Sequence, residues 1–157
     1  MNNLLYYECV KNITASDGTA HARPAGAQPL VLVHGLFGSG SNLGSLARLF
    51  IHERPVYLVD LPNHGRSPWI TDTSYPTAAA FLHRTLQQIS EESGVEELHV
   101  FGHSMGGKVV MALGLLQNPS PSQMQQNLSP SQTQETEGDY RIASLIIGDI
   151  APRRYDA

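Results

Sequence analysis

Four short runs constrain the fold of this chain more than any other feature: residues 30–34 (LVLVH), 56–60 (VYLVD), 98–102 (LHVFG) and 145–150 (LIIGDI). Successive side chains of a strand point to opposite faces, so a run that is apolar at neighbouring positions must be covered on both sides. That is the mark of a parallel sheet held between helical layers. The intervening segments supply the cover. A helix is expected over residues 41–51, with Ser41 as its N-cap and Leu43, Leu46, Ala47 and Phe50 on one face. A second is expected from Pro76 to about Ser93, with Leu82, Leu86 and Ile89 at i, i+4 and i+7 and Gly94 closing it. A third spans residues 105–117. Residues 4–10 read as a short first strand, and 12–28 as a loop or hairpin. Strands alternating with helices give an α/β fold: a mostly parallel sheet with helices on both faces.

One segment breaks the rhythm. Residues 117–140 are rich in Gln, Ser and Pro and poor in large apolar residues, which predicts a flexible surface insertion within a single domain spanning 1–157. A formal net charge of −4, with no basic stripe, argues against a nucleic-acid partner. Cys9 is the single cysteine, so no internal disulfide can form, and a reducing, cytoplasmic setting is expected. The start MNNLLYYECVKN lacks the basic and apolar regions of a signal peptide, and no apolar run is long enough to span a membrane.

The chemistry is concentrated in Gly102-His103-Ser104-Met105-Gly106, a G-x-S-x-G pentapeptide between an expected strand and an expected helix. A serine on such a corner is held in strained geometry with its hydroxyl above the sheet. Side chains two residues away on either side would collide with neighbouring elements, hence glycine at both places. The free amides of the following helix point at the same spot and favour negative charge there. The blander alternative is a glycine turn with a capping serine. An oxyanion needs two donors. One would be the Met105 N–H. The other should come from the glycine-rich turn after LVLVH, where Leu36 is the first candidate and Phe37 the alternative. A phosphate cradle does not fit that turn. Gly35 and Gly40 have P-loop spacing, but Ser41-Asn42 stands where Lys-Ser/Thr is required, and Leu43 replaces the last glycine of a dinucleotide fingerprint.

Taken in order, LVLVHGLFGSGSNLGSLARLF, VDLPNHGRSP, VFGHSMGGKVVMAL and LIIGDIAP resemble the α/β-hydrolases, and among them the small esterases of the YbfF type. The resemblance covers residues 30–118 and 142–152. It implies hydrolysis of a small acyl ester or thioester, acyl-CoA thioesters among them, with no cofactor and no metal. It also implies Ser104 as nucleophile, Leu36 with Met105 as oxyanion hole, and Gly102 and Gly106 as elbow glycines. Serine at the nucleophile position argues against the dehalogenase and epoxide hydrolase relatives, which carry aspartate there. Relatives of the YbfF type place the acid where Asp149 stands, although a carboxylate at a strand end can equally cap a turn. Asp139 and Asp156 are the other acids considered.

The fold's order is nucleophile, acid, histidine. All seven histidines here precede Ser104, so no residue matches the catalytic histidine. His103 sits inside the elbow, where it is expected to aim away from the hydroxyl. His34 and His64 are expected to pack or hydrogen-bond. The chain stops where relatives continue into a lid and further strands. The resemblance therefore implies a truncated domain with impaired activity, whose LIIGDI strand becomes an apolar edge open to a partner chain. Two readings follow: a serine esterase or thioesterase, or a non-catalytic remnant that pairs through that edge.

Overall fold

The computed structural model describes residues 4–10, 24–117 and 140–149. Five strands form one sheet: β1 (Tyr7–Cys9), β2 (Leu30–Val33), β3 (Val56–Val59), β4 (Glu97–His103) and β5 (Arg141–Gly148). Their order is β1-β3-β2-β4-β5, with β1 antiparallel to β3 and every other pairing parallel. The helices are α1 (Gly44–Arg48), entered through a 3-10 turn at Gly40–Leu43, α2 (Tyr75–Ser93) and α3 (Met105–Gln117). This is the α/β architecture expected from the four apolar runs. Among the described residues, no helix is long and apolar enough to cross a membrane.

The two faces of β2 show why its run is apolar throughout. Val31 and Val33 pack with Leu82, Leu86 and Ile89 of α2 and with Val109 and Leu113 of α3. Leu30 and Leu32 pack on the other side with Ala47 and Ile51. All four β2 residues and all four β3 residues are buried. Burial of each such side chain contributes roughly 1.5–3 kcal/mol before entropy is counted.

Helix α2 closes before Gly94 as its sequence predicts, and opens at Tyr75, one residue ahead of the expected start at Pro76. Ser74 precedes it and its Oγ accepts the Thr77 N–H. Gly94 ends it in the left-handed region at φ +66°, a conformation that costs glycine little. The helix expected over 41–51 is shorter. Leu49 N–H bonds Leu46 O and Phe50 N–H bonds Ala47 O, so the last turn tightens to i→i−3 spacing. Its entry is at Ser39, not Ser41, and the Ser39 N–H donates to Asn42 Oδ1 at 2.7 Å.

The first strand is also shorter than expected. The last differs most: β5 begins at Arg141 and ends at Gly148 rather than spanning 145–150. Its first half pairs through polar side chains, Arg141 with Glu97 and Ser144 Oγ with His99 Nδ1, which an apolar-run criterion does not register. It lies at the sheet edge, and the consecutive Leu145, Ile146 and Ile147 are 38–46% exposed, so both faces are partly open. Tyr140 just before it is buried. The expected insertion at 117–140 falls, apart from Gln117 and Tyr140, outside the described residues; so do Asp139, Asp156 and most of the 12–28 loop.

Candidate active site

The carboxyl ends of β2 and β4 meet around Ser104. This residue joins β4 to α3 at φ +52°, a conformation that costs a non-glycine residue of order 1–3 kcal/mol and persists only where its surroundings impose it. The constraints are visible. Ser104 N–H donates to Gly148 O at 2.9 Å, and Ser104 O accepts Gly107 N–H at 2.9 Å. A Cβ on Gly102 would lie 2.5 Å from Gly106 O, and one on Gly106 would overlap His34 O and lie 2.6 Å from Val33 O. The two glycines let β4, α3 and β2 approach as closely as they do. The turn after β2 presses on the same point: a Cβ on Gly35 would lie 3.2 Å from both Ser104 Cβ and His103 Nδ1.

That turn is fixed by two histidines. His34 is 1% exposed; its Nε2 accepts the Leu61 N–H at 2.9 Å, so its Nδ1 donates to Gly35 O at 2.7 Å. Burial holds its pKa below the usual value and keeps it neutral. Its ring packs 5.2 Å from that of His64. His64 Nδ1 donates to Pro62 O at 2.8 Å, and its Nε2 accepts the Phe37 N–H at 3.3 Å. Phe37 itself stands at φ +58° with its ring 91% exposed. Its amide is thus engaged with His64. Among the described residues, the Leu36 N–H has no acceptor. Met105 is the first residue of α3, so no carbonyl within its helix can accept its N–H.

Two cavities adjoin here. An open one of about 310 Å³ is bounded by Gly35, Leu36, Phe37, Asn42, His103 and Ser104. Another of about 280 Å³ lies against Leu36 and Met105 and is floored by Leu61, Ile70, Ala78 and Val109. Asp149, just beyond β5 at φ +56°, is mostly exposed, with Oδ2 3.8 Å from His103 Nε2. Among the described residues, no three His, Cys, Asp or Glu side chains converge as a metal site would require.

The family profile of the alpha/beta hydrolase fold matches residues 28–126. The chain belongs to the α/β-hydrolase family. This α/β-hydrolase is 47% identical over 127 residues to Esterase YbfF of Escherichia coli (strain K12), a match covering 81% of this chain and 40% of that protein. It is 43% identical over 89 residues to the sn-1-specific diacylglycerol lipase ABHD11 of Xenopus tropicalis, covering 55% of this chain and 27% of the lipase. Among solved structures it superposes on a marine microorganism esterase with a TM-score of 0.66 at 30% identity, over 98% of this chain and 44% of the other. The chain therefore spans well under half the length of these relatives.

In this α/β-hydrolase the structure gathers Ser104, Met105, Leu36, Gly102 and Gly106 at one corner, and sets Asp149 beside His103. One residue that sequence reasoning passed over organises the neighbouring loop. Asp60 is 5% exposed, and its carboxylate accepts the N–H groups of Gly40 at 2.6 Å and Arg66 at 2.9 Å. Gly65, at φ +51°, leaves room for that carboxylate; a Cβ there would overlap it. Ser67 Oγ donates to Asp60 O and accepts the Tyr6 N–H at 2.8 Å. The signal was present as an acid at a strand end followed by Gly and Ser in a loop of breakers. The anchoring role of His64 left no comparable trace, because its partner Phe37 is 27 residues away.

Proposed function

We propose that this chain carries the nucleophile of a serine hydrolase cleaving carboxylic esters or thioesters. Ser104 Oγ attacks the acyl carbonyl carbon, and the carbonyl oxygen takes up negative charge facing the N–H groups of Leu36 and Met105. The intermediate collapses with loss of an alcohol or thiol, which leaves with the serine proton, and water then releases the acid from the acyl-enzyme. The observation that carries this reading is Ser104 at φ +52° on the β4–α3 corner, against the Gly35–Phe37 turn. The similarity to an esterase and a lipase supports an ester as the bond cleaved.

In this reading Asp149 is the acid that would orient a catalytic histidine. No histidine follows Ser104 within these 157 residues, so an assay of these residues alone calls for a reagent that acylates serine without a triad base. Loss of a triad base costs on the order of a million-fold in the turnover of a serine protease. Acylation by an activated reagent is the appropriate test. The purified chain and a Ser104→Ala variant are incubated with a fluorophosphonate probe and with p-nitrophenyl acetate. Ser104-dependent labelling is expected; a folded chain that shows no labelling difference between the two refutes the nucleophile.

One observation favours a second reading, a non-catalytic module that pairs with another chain through its sheet edge. Leu145, Ile146 and Ile147 are partly exposed on an edge strand that carries no charged residue between Ile142 and Gly148. Sedimentation of the chain against an Ile146→Lys variant tests it: self-association or partner capture lost in the variant supports this reading, and identical monomeric behaviour removes it.

A further inference from the structure

We propose that Ser144 is a second nucleophilic serine, with His99 as its base, and that it accepts an acyl group from small acyl donors with a good leaving group. The site is separate from Ser104, which follows His99 by five residues and stands beyond the end of β4. Its origin is an irregularity in the sheet. Leu98 pairs with Ile142, but His99 pairs with Ser144, so Ala143 is passed over. Irregularities of this kind are rare in parallel pairs and re-aim a side chain. In a regular strand residues 142 and 144 would share a face. Here Ile142 packs on the core shared with α2 and α3, whereas Ser144 Oγ meets the His99 ring on the opposite face, 2.8 Å from Nδ1.

A chain of hydrogen bonds fixes the direction of that contact. The Glu97 carboxylate, paired with Arg141, can only accept, and it accepts from Gln28 Nε2. Gln28 Oε1 is thereby turned to His99 Nε2, 2.7 Å away. An amide oxygen has no proton to give, so Nε2 carries the ring proton and donates it. Nδ1 is left as a bare acceptor, and the Ser144 hydroxyl donates to it. Burial lowers the pKa of His99 and the nearby Arg54 guanidinium lowers it further, so the ring is neutral at pH 7, the form a base requires. A nucleophile, its proton acceptor and a third group that orients the acceptor are thus in line. Ser144 stands within β5 and not at the start of a helix, so no row of free helix amides faces it. That limits the donors to those whose leaving group needs little help. In the step, Ser144 Oγ bonds to the carbonyl carbon while its proton passes to His99 Nδ1. The bond from that carbon to the leaving oxygen or sulfur breaks, and the alcohol, phenol or thiol takes the proton from His99. The acyl group stays on Ser144 as an ester.

The test uses the Ser104→Ala chain and p-nitrophenyl acetate. Trypsin releases residues 142–153 as one peptide, IASLIIGDIAPR, in which Ser144 is the single hydroxyl-bearing side chain. Acetylation of that peptide, followed by mass spectrometry, therefore reports Ser144 alone. His99→Gln should slow it roughly a hundredfold, the lower end of what a positioned base supplies. The ring nitrogen resonances of His99 should show the proton on Nε2. Gln28→Leu removes the acceptor that holds it there; the proton should shift toward Nδ1 and acetylation should slow several-fold, which keeps the test open if His99→Gln does not fold. An unmodified peptide, a fall of less than about tenfold in a folded His99→Gln variant, or a ring proton on Nδ1 in the Ser104→Ala chain overturns the proposal. Labelling of Ser104 in the unaltered chain is read on a different tryptic peptide, residues 85–108, so the two nucleophiles stand or fall independently.

Discussion

Gly106→Ala is the most telling single perturbation of this corner. The added methyl would overlap His34 O and lie 2.6 Å from Val33 O, both backbone atoms of the central strand β2 and the residue after it. Neither can rotate away, so α3 must shift from the sheet. Overpacking against fixed atoms costs roughly 3 kcal/mol, at the upper end of its usual range. Replacing a helical glycine with alanine returns up to about 1 kcal/mol. The net loss is about 2 kcal/mol, which for a chain of this size lowers Tm by about 4–8 °C. The same shift carries the Met105 N–H away from Leu36, so Ser104 labelling should fall by more than the loss of folded protein explains. Thermal unfolding followed by circular dichroism, with labelling rates measured well below Tm, checks both effects. Gly44→Ala is the control, since a Cβ there meets nothing within 4 Å. If Gly106→Ala melts and labels like the unaltered chain, the close approach of α3 to β2 is not what shapes the corner.

Gly65→Ala should destabilise by about 3 kcal/mol or more in urea unfolding, because its Cβ would overlap the buried Asp60 carboxylate and its φ of +51° disfavours a side chain. His64→Ala removes the acceptor of the Phe37 N–H; it should slow Ser104 labelling several-fold, with a stability loss of about 1 kcal/mol, and His64→Gln should recover part of the rate. Stability should also depend on pH through His34, His83 and His99, whose folded pKa values are lowered chiefly by burial. The unfolded chain then binds more protons than the folded one near its reference pKa of about 6.5. The contribution is complete above about pH 7.5 and is lost as pH falls through 6.5 toward the depressed folded values. Urea unfolding at about pH 7.5 and 5.5 should show the decrease, at most about 1.4 kcal/mol per pH unit for each histidine, and His34→Gln should reduce the slope.

Much of the fold was legible because it rests on local regularities. The doubly apolar runs at β2 and β3 announce strands covered on both faces, and Pro76 and Gly94 mark the ends of α2 to within one residue, while the cap at Ser74 emerged only in the structure. The start of β5 was not legible, since Arg141 and Ser144 belong to a strand only by virtue of Glu97 and His99 across the sheet. The early end of α1 is of the same kind. Nothing in the letters 41–51 says that the chain must tighten after Arg48 to carry Phe50 and Ile51 onto the sheet.

At the candidate site the division falls in the same place. The sequence by itself determined which residues could share the corner, because G-x-S-x-G and H-G-L-F-G are demands of local backbone geometry: small residues where elements cross, and free amides where a helix begins. Only the tertiary structure decided that Phe37 gives its amide to His64 while Leu36 does not, that Asp60 anchors the adjoining loop, and that Asp149 faces His103 across the end of β5. These contacts join residues 20 to 46 positions apart in some cases and a few in others, and a hydrogen bond depends on where the folded backbone brings its donor and acceptor, which the spacing of letters along the chain does not encode.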